Sequence, residues 1–360
     1  MKFTALVASA GLLSGLALAH PEERLSRREI ERRAALSKRC EPNIAKLNRK
    51  RHARRMAKRQ IDWSNATIPE AQPYYDVIQN TTCIQVPDII QGPYVWPQSE
   101  LLRTDVSELK TRAPTTPSQH RNPVSYTGMT TANSSTFQMS EDQPGVPLIM
   151  DIGVLDMATC EPLTDVMVSL WHANATGSYS SFTALNPNLE FGDLLTTLNM
   201  TRDQVEYGVT DLHTDDTTFL RGMYPTDSEG VMEMKTVFPG FYAGRSLHIH
   251  SQVYTDYSLF PNGTISSGNL VSTGQLYFDE ALSAEMMALE PYASHTQTPR
   301  VTNDVDQFFP DGLENGWNPV FDVIPADGVD PKNGMIAYIT MGIDTTNIQK
   351  APMNIKKPGE

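Results

Sequence analysis

The stretch GRSLHIHSQV, Gly244–Val253, sets two histidines one residue apart in a run of alternating apolar and polar character. In an element of period two, Leu247, Ile249 and Val253 share one face, while His248, His250 and Gln252 share the other. A strand that buries the Leu/Ile/Val face therefore carries two imidazoles side by side. His-x-His by itself marks a polar strand face more often than a metal site, so the surrounding chain has to decide.

Outward from this strand, VPLIMDIGVLDM, DVMVSLW, GVMEMKTVF, GQLYFD and MIAYITMGI are further short β-prone runs, separated by Gly, Pro, Asn and Asp. Their spacing predicts an all-β fold, an antiparallel β-sandwich with long loops over residues 141–345 and a tail over 346–360. Two short helices are expected, one around NLEFGDLLTTL and one around DEALSAEMMALEPY with its cap near Asp279. Residues 60–140, with patches such as RAPTTPSQHRNP, read as a loop-rich arm packing on that core.

The first 59 residues are of another kind. MKFTALVASAGLLSGLALA, residues 1–19, has one positive charge, an apolar stretch and small residues at Ala17 and Ala19, the pattern of a cleaved secretory signal. Residues 20–59 hold 15 Lys and Arg against 5 Asp and Glu and end in HARRMAKR, which reads as a basic pro-segment removed at a dibasic site. The remaining chain carries 13 basic against 37 acidic residues, a net charge of −24. Such a surface repels nucleic acid and anionic membranes, and no later segment offers about eighteen apolar residues in a row.

The expectation is therefore a secreted, extracellular protein acting on a small molecule, with neither nucleic acid nor membrane as partner. Of the cysteines Cys40, Cys83 and Cys160, the first would leave with the pro-segment, so a Cys83–Cys160 disulfide is expected in an oxidising compartment. Sequons at Asn65, Asn80, Asn133, Asn199 and Asn262 suit glycosylation; a sixth, at Asn174, sits in a loop that bears on the site below.

Two phenols join the two imidazoles. Tyr242, in FPGFYAGR, follows a Pro-Gly turn six residues before His248, and Tyr179, in WHANATGSYS, follows the strand ending at Trp171. Phenols, with an ordinary pKa near 10, become ligands only when a highly charged cation displaces the proton. Two phenolates with two imidazoles favour a ferric, non-haem centre; zinc stays open, although its usual ligands are Cys, His and carboxylate.

CIQVPDIIQGPYVW, GVPLIMDIGVLDMATCEPLTDVMVSLWHANATGSYS, FLRGMYPTDSEGVMEMKTVFPGFYAGRSLHIH and GQLYFD, in that order from Cys83 to Asp279, closely resemble the intradiol ring-cleavage dioxygenases. The signal peptide and the WHANATG loop resemble the secreted fungal branch of that family. The resemblance implies one Fe(III) per chain held by Tyr179, Tyr242, His248 and His250, with Tyr242 also a proton acceptor. It implies cleavage of a small aromatic diol by O2 to a cis,cis-muconate-type diacid. It places the family's active-site arginine on Arg245 and its glutamine on Gln275, where Gly274 replaces a threonine and the interval from His250 is lengthened. Tyr94 would line the substrate pocket, and a homodimer is left open.

His172, Arg221 and Asp227 read as structural support. Two other readings compete. A cupin-like metal site also uses His-x-His on a β scaffold but needs a glutamate soon after, and Ser251–Tyr257 contain none. A non-catalytic secreted β-sandwich binding protein would have no use for the four candidate ligands together.

Overall fold

The computed structural model describes residues 27–59, 92–95, 139–206, 210–259, 265–266, 268–313 and 318–349. The 1–19 segment, Cys83, most of the 60–140 arm and the sequons at Asn65, Asn80, Asn133 and Asn262 lie outside them. Among the described residues no helix is long and apolar enough to cross a membrane.

Two four-stranded sheets face each other. One contains β1 (Pro147–Asp156), β4 (Val231–Val237), β9 (Asp322–Pro325) and β10 (Met335–Ile343) in the order β4-β1-β10-β9. The other contains β2 (Met167–Trp171), β3 (Arg221–Pro225), β5 (His248–Thr255) and β8 (Asn269–Tyr277) in the order β3-β2-β5-β8. The core follows the period of two: Leu148, Met150, Ile152 and Val154 of β1 and Ala337, Ile339 and Met341 of β10 meet Val168 and Leu170 of β2 and Ile249 and Val253 of β5. An outlying hairpin pairs β6 (Ser258–Leu259) with β7 (Ile265–Ser266).

Pairing is antiparallel except between β1 and β10, which run parallel from Leu148↔Met335 to Asp156↔Ile343. The expected antiparallel β-sandwich is thus present, with this one parallel pair inside it. These strands are remote in sequence, so no hairpin turn constrains their direction. Both expected helices form. α2 covers Phe191–Thr197, and α3 covers Glu280–Met287 with the Asp279 carboxylate accepting from the Ala281 and Leu282 N–H groups.

The basic segment is where the structure departs furthest from the sequence reading. Arg27–Arg59 form one helix, α1, lying on the outer face of the β4-β1-β10-β9 sheet, with Cys40, Ile44, Leu47, Asn48 and Arg51 buried along one side. The expected Cys83–Cys160 disulfide is corrected: Cys160 is bonded to Cys40, with Cα atoms 5.1 Å apart. The reason is local. Arg39 donates to the carbonyls of Met157 and Ala158, and Asn43 donates to that of Cys160 at 2.7 Å, so α1 seats Cys40 on the turn carrying its partner.

Candidate metal centre

The site lies on the outer face of the β3-β2-β5-β8 sheet. β5 turns His248 and His250 to that face because Leu247, Ile249 and Val253 enter the core. Cross-strand register supplies the neighbours: His250 sits between Trp171 of β2 and Gln275 of β8, and His248 lies opposite Tyr277. Trp171 stacks on His250 with ring centroids 4.8 Å apart and planes within 3°, which fixes the imidazole plane.

Two interlocked loops deliver the phenols. The Asn174 side-chain oxygen accepts from the N–H groups of Thr176 and Ser178, closing the turn that precedes Tyr179. Gly177, at φ +85°, presses so closely on the Phe241 carbonyl that a Cβ there would collide with it. The Tyr179 loop is thus keyed to the loop carrying Tyr242. The Asn174 amide also donates to Gln143 at 3.0 Å, so the nitrogen a glycan would need is already engaged. Asn199, at the end of α2, is exposed.

The four rings converge. Ring centroids are 5.6 Å apart for Tyr179–Tyr242, 6.0 Å for Tyr179–His250, 5.6 Å for Tyr242–His248 and 4.7 Å for His248–His250. The two Nε2 atoms face each other at 3.1 Å, and His248 Nδ1 is held by the Ser246 carbonyl at 2.8 Å. All four side chains are buried, and the Tyr179 hydroxyl has no hydrogen-bond partner of normal geometry.

These observations test whether a metal fits. Two imidazoles bound cis at about 2.1 Å have their nitrogens about 3 Å apart, which matches the separation found. Burial, reinforced by the Arg245 charge, pushes both histidines well below their usual range, so their ring nitrogens are neutral donors. Burial raises the Tyr179 phenol well above its usual value, with Tyr242 adding to the shift, and raises Tyr242 despite the opposing Arg245. A cation of high charge reverses that balance, stabilising phenolates beside two neutral imidazoles. Among the described residues no group of three His, Cys, Asp or Glu converges, so the phenols are needed to complete a ligand set. The residues present fit a ferric ion.

Arg245 borders this cluster. Its Nη1 reaches Tyr242 Oη at 3.4 Å, its Nε donates to Asp306 at 2.8 Å, and its Nη2 donates to Gln275 and, at 3.3 Å, to Tyr277 Oη. Burial opposes the charge on Arg245, but Tyr242 and Asp306 outweigh it and raise the group's pKa. Tyr94 stacks on Tyr179 at 4.6 Å and meets Tyr242 edge-on at 5.6 Å, with its carbonyl held by Arg221 at 2.7 Å. Gly92, at φ +73°, lets this segment lie on His250: a Cβ would stand 3.3 Å from Cε1.

The residues singled out from sequence, Tyr94, Tyr179, Tyr242, Arg245, His248, His250 and Gln275, are thus in one place. His172 and Asp227 lie elsewhere, His172 on Thr236 and Asp227 on Arg54. Sequence reading missed Trp171, Tyr277 and Asp306. The first two follow from strand register once β5 is placed, whereas Asp306 lies in a loop with no local signal.

The dioxygenase family model matches residues 121–259, a segment containing all four convergent rings and Arg245. Over that segment the chain is similar to the dioxygenases. An intradiol ring-cleavage dioxygenase from Tetranychus urticae shares the fold, with 21% identity, a TM-score of 0.51, and coverage of 75% of this chain and 98% of the other. The dioxygenase domain of a carbohydrate-binding fusion from Streptomyces sp. SirexAA-E has 21% identity, coverage of 72% and 97%, and a TM-score of 0.36. A 3-chlorocatechol 1,2-dioxygenase from Rhodococcus opacus has 18% identity, coverage of 73% of each chain, and a TM-score of 0.32. No curated protein matches the chain. Gln275 and Asp306 fall beyond the matched segment.

Proposed function

We propose that this protein is an extracellular non-haem iron(III) intradiol dioxygenase that cleaves catechol-type rings between the two hydroxyl-bearing carbons, incorporating both atoms of O2 to give a cis,cis-muconate-type diacid. The observation that supports this reading is the convergence of Tyr179, Tyr242, His248 and His250, with the two Nε2 atoms 3.1 Å apart. Export is supported by the apolar leader MKFTALVASAGLLSGLALA and by the Cys40–Cys160 disulfide.

Tyr179, Tyr242, His248 and His250 would hold the iron. A ferric ion supplies Lewis acidity and electron withdrawal that open a chelated catechol ring to oxygen. Tyr242, as phenolate, is the base that takes a substrate hydroxyl proton at Oη, and Arg245 Nη1 beside that oxygen stabilises negative charge there or on the substrate. Trp171 and Tyr94 keep His250 and Tyr179 in their planes, and burial of all four rings excludes water from the reacting carbon.

Oxygen uptake by iron-supplied protein, with catechol, hydroxyquinol and protocatechuate as substrates and products identified by mass, tests the reading. An intradiol diacid with both oxygen atoms derived from O2 is expected. Absence of such a product from any of the three, with iron bound, overturns it.

A further inference from the structure

We propose that Asp306 is the positioning residue that locks the Arg245 guanidinium against Tyr242; this rests on the function proposed above. Asp306 belongs to neither sheet. It follows the turn Asn303–Val305 and precedes the short helix α4, Phe309–Leu313. Its side chain has no solvent exposure, and Arg245 engages both oxygens, Nε to Oδ2 at 2.8 Å and Nη2 to Oδ1 at 3.3 Å.

The carboxylate is itself fixed by backbone. Oδ2 accepts the Ser246 N–H at 2.9 Å, and Oδ1 accepts those of Phe308 at 2.9 Å and Phe309 at 3.1 Å. The Phe308 ring covers the guanidinium with its centroid 4.6 Å from Cζ. With Nε and Nη2 committed to Asp306, Gln275 and Tyr277, the guanidinium cannot rotate without leaving a buried carboxylate unpaired. Nη1 is therefore held at Tyr242 Oη.

The test compares Asp306→Asn and Asp306→Glu with the parent protein. In metal-free protein, the Arg245 Nε–H resonance should be protected from exchange in the parent, lose that protection in Asp306→Asn and regain part of it in Asp306→Glu. In iron-supplied protein, Asp306→Asn should bind iron fully and shift the phenolate-to-iron band. Its kcat should fall at least about tenfold with KM within about threefold, a split that simple loss of folding does not give. An unprotected Arg245 Nε–H in the parent, or an Asp306→Asn variant with the parent's band and kcat, overturns the assignment. A parent that binds no iron defeats the proposed function instead, and the resonance still decides the role of Asp306.

A different observation carries a second inference: α1 is a permanent layer of the working protein, whether or not the chain is cut in its basic end. Cys40–Cys160 ties it covalently to the sandwich. Arg51 enters the outer face of the sheet, where it donates to Asp151 Oδ1 and to Thr340 Oγ1 at 2.9 Å, and Thr340 donates to Asn48 at 2.7 Å. Cleavage after Arg59 would leave the helix attached through its disulfide. Intact mass of the secreted protein with and without reductant tests this. Residues 27–59 should be present either in one chain or in a peptide that only reductant releases. A folded product beginning at Gln60 with no linked peptide contradicts it.

Discussion

Replacement of Arg51 by alanine separates an integral α1 from a loosely docked one. The Arg51–Asp151 pair stands at 2.8 Å with side chains only 2% and 3% exposed, and the guanidinium also satisfies Asn48, Thr340 and the Ile339 carbonyl. Removing one partner of a buried pair leaves the other charge without compensation, which costs about 3–5 kcal/mol. With a urea slope of about 3 kcal/mol/M, the unfolding midpoint should fall by about 1–1.7 M. Asp151→Ala should do comparable damage, whereas the double variant Arg51→Met/Asp151→Leu should recover only the part due to the unpaired charge, because Asn48, Thr340 and the Ile339 carbonyl still lose a donor. The assay is urea unfolding followed by circular dichroism with the disulfide intact. Single variants within about 1 kcal/mol of the parent, the range of an exposed pair, would refute the reasoning.

Three further outcomes are expected. Burial holds His172 at a pKa of about 4 against an ordinary 6.5, so the unfolded chain binds the extra proton first. Stability is therefore whole above about pH 6.5 and lost as pH falls toward 4, by roughly 3 kcal/mol from this group. In His172→Asn that slope should shrink, and an unchanged pH–stability curve would contradict the sign. Cys40→Ser should cost about 2–5 kcal/mol and leave Cys160 alkylatable in denaturant without reductant, checked by peptide mapping. Gly92→Ala, strained at φ +73° and crowding His250, should lower stability by about 1–3 kcal/mol and shift the phenolate band, which a spectrum of the iron-supplied variant would reveal.

The sandwich was legible because its strands alternate, and β5 states its own orientation: Leu247, Ile249 and Val253 can only go inward, so the histidines go out. α3 was legible from the Asp279 cap. α1 was not, because its apolar side is short, Leu36, Cys40, Ile44 and Leu47 continued by the buried Asn48 and Arg51, and it is set among many charges with Pro42 inside. The cysteine pairing went astray for the same reason, since Cys40 was set aside with a helix that in fact carries it to Cys160. The parallel β1–β10 register joins neighbouring strands that are remote in sequence, and Asp306 reaches Arg245 across 61 residues; neither leaves a local trace.

The central claim is that two phenolates and two imidazoles hold one ferric ion. The measurement that tests it most directly is the visible spectrum and metal content of iron-supplied protein, parent against Tyr179→Phe. The parent should bind about one iron per chain and show a red-brown phenolate-to-iron band, which should weaken and shift when Tyr179 is replaced. A colourless parent, or a band indifferent to the loss of Tyr179, would contradict the account.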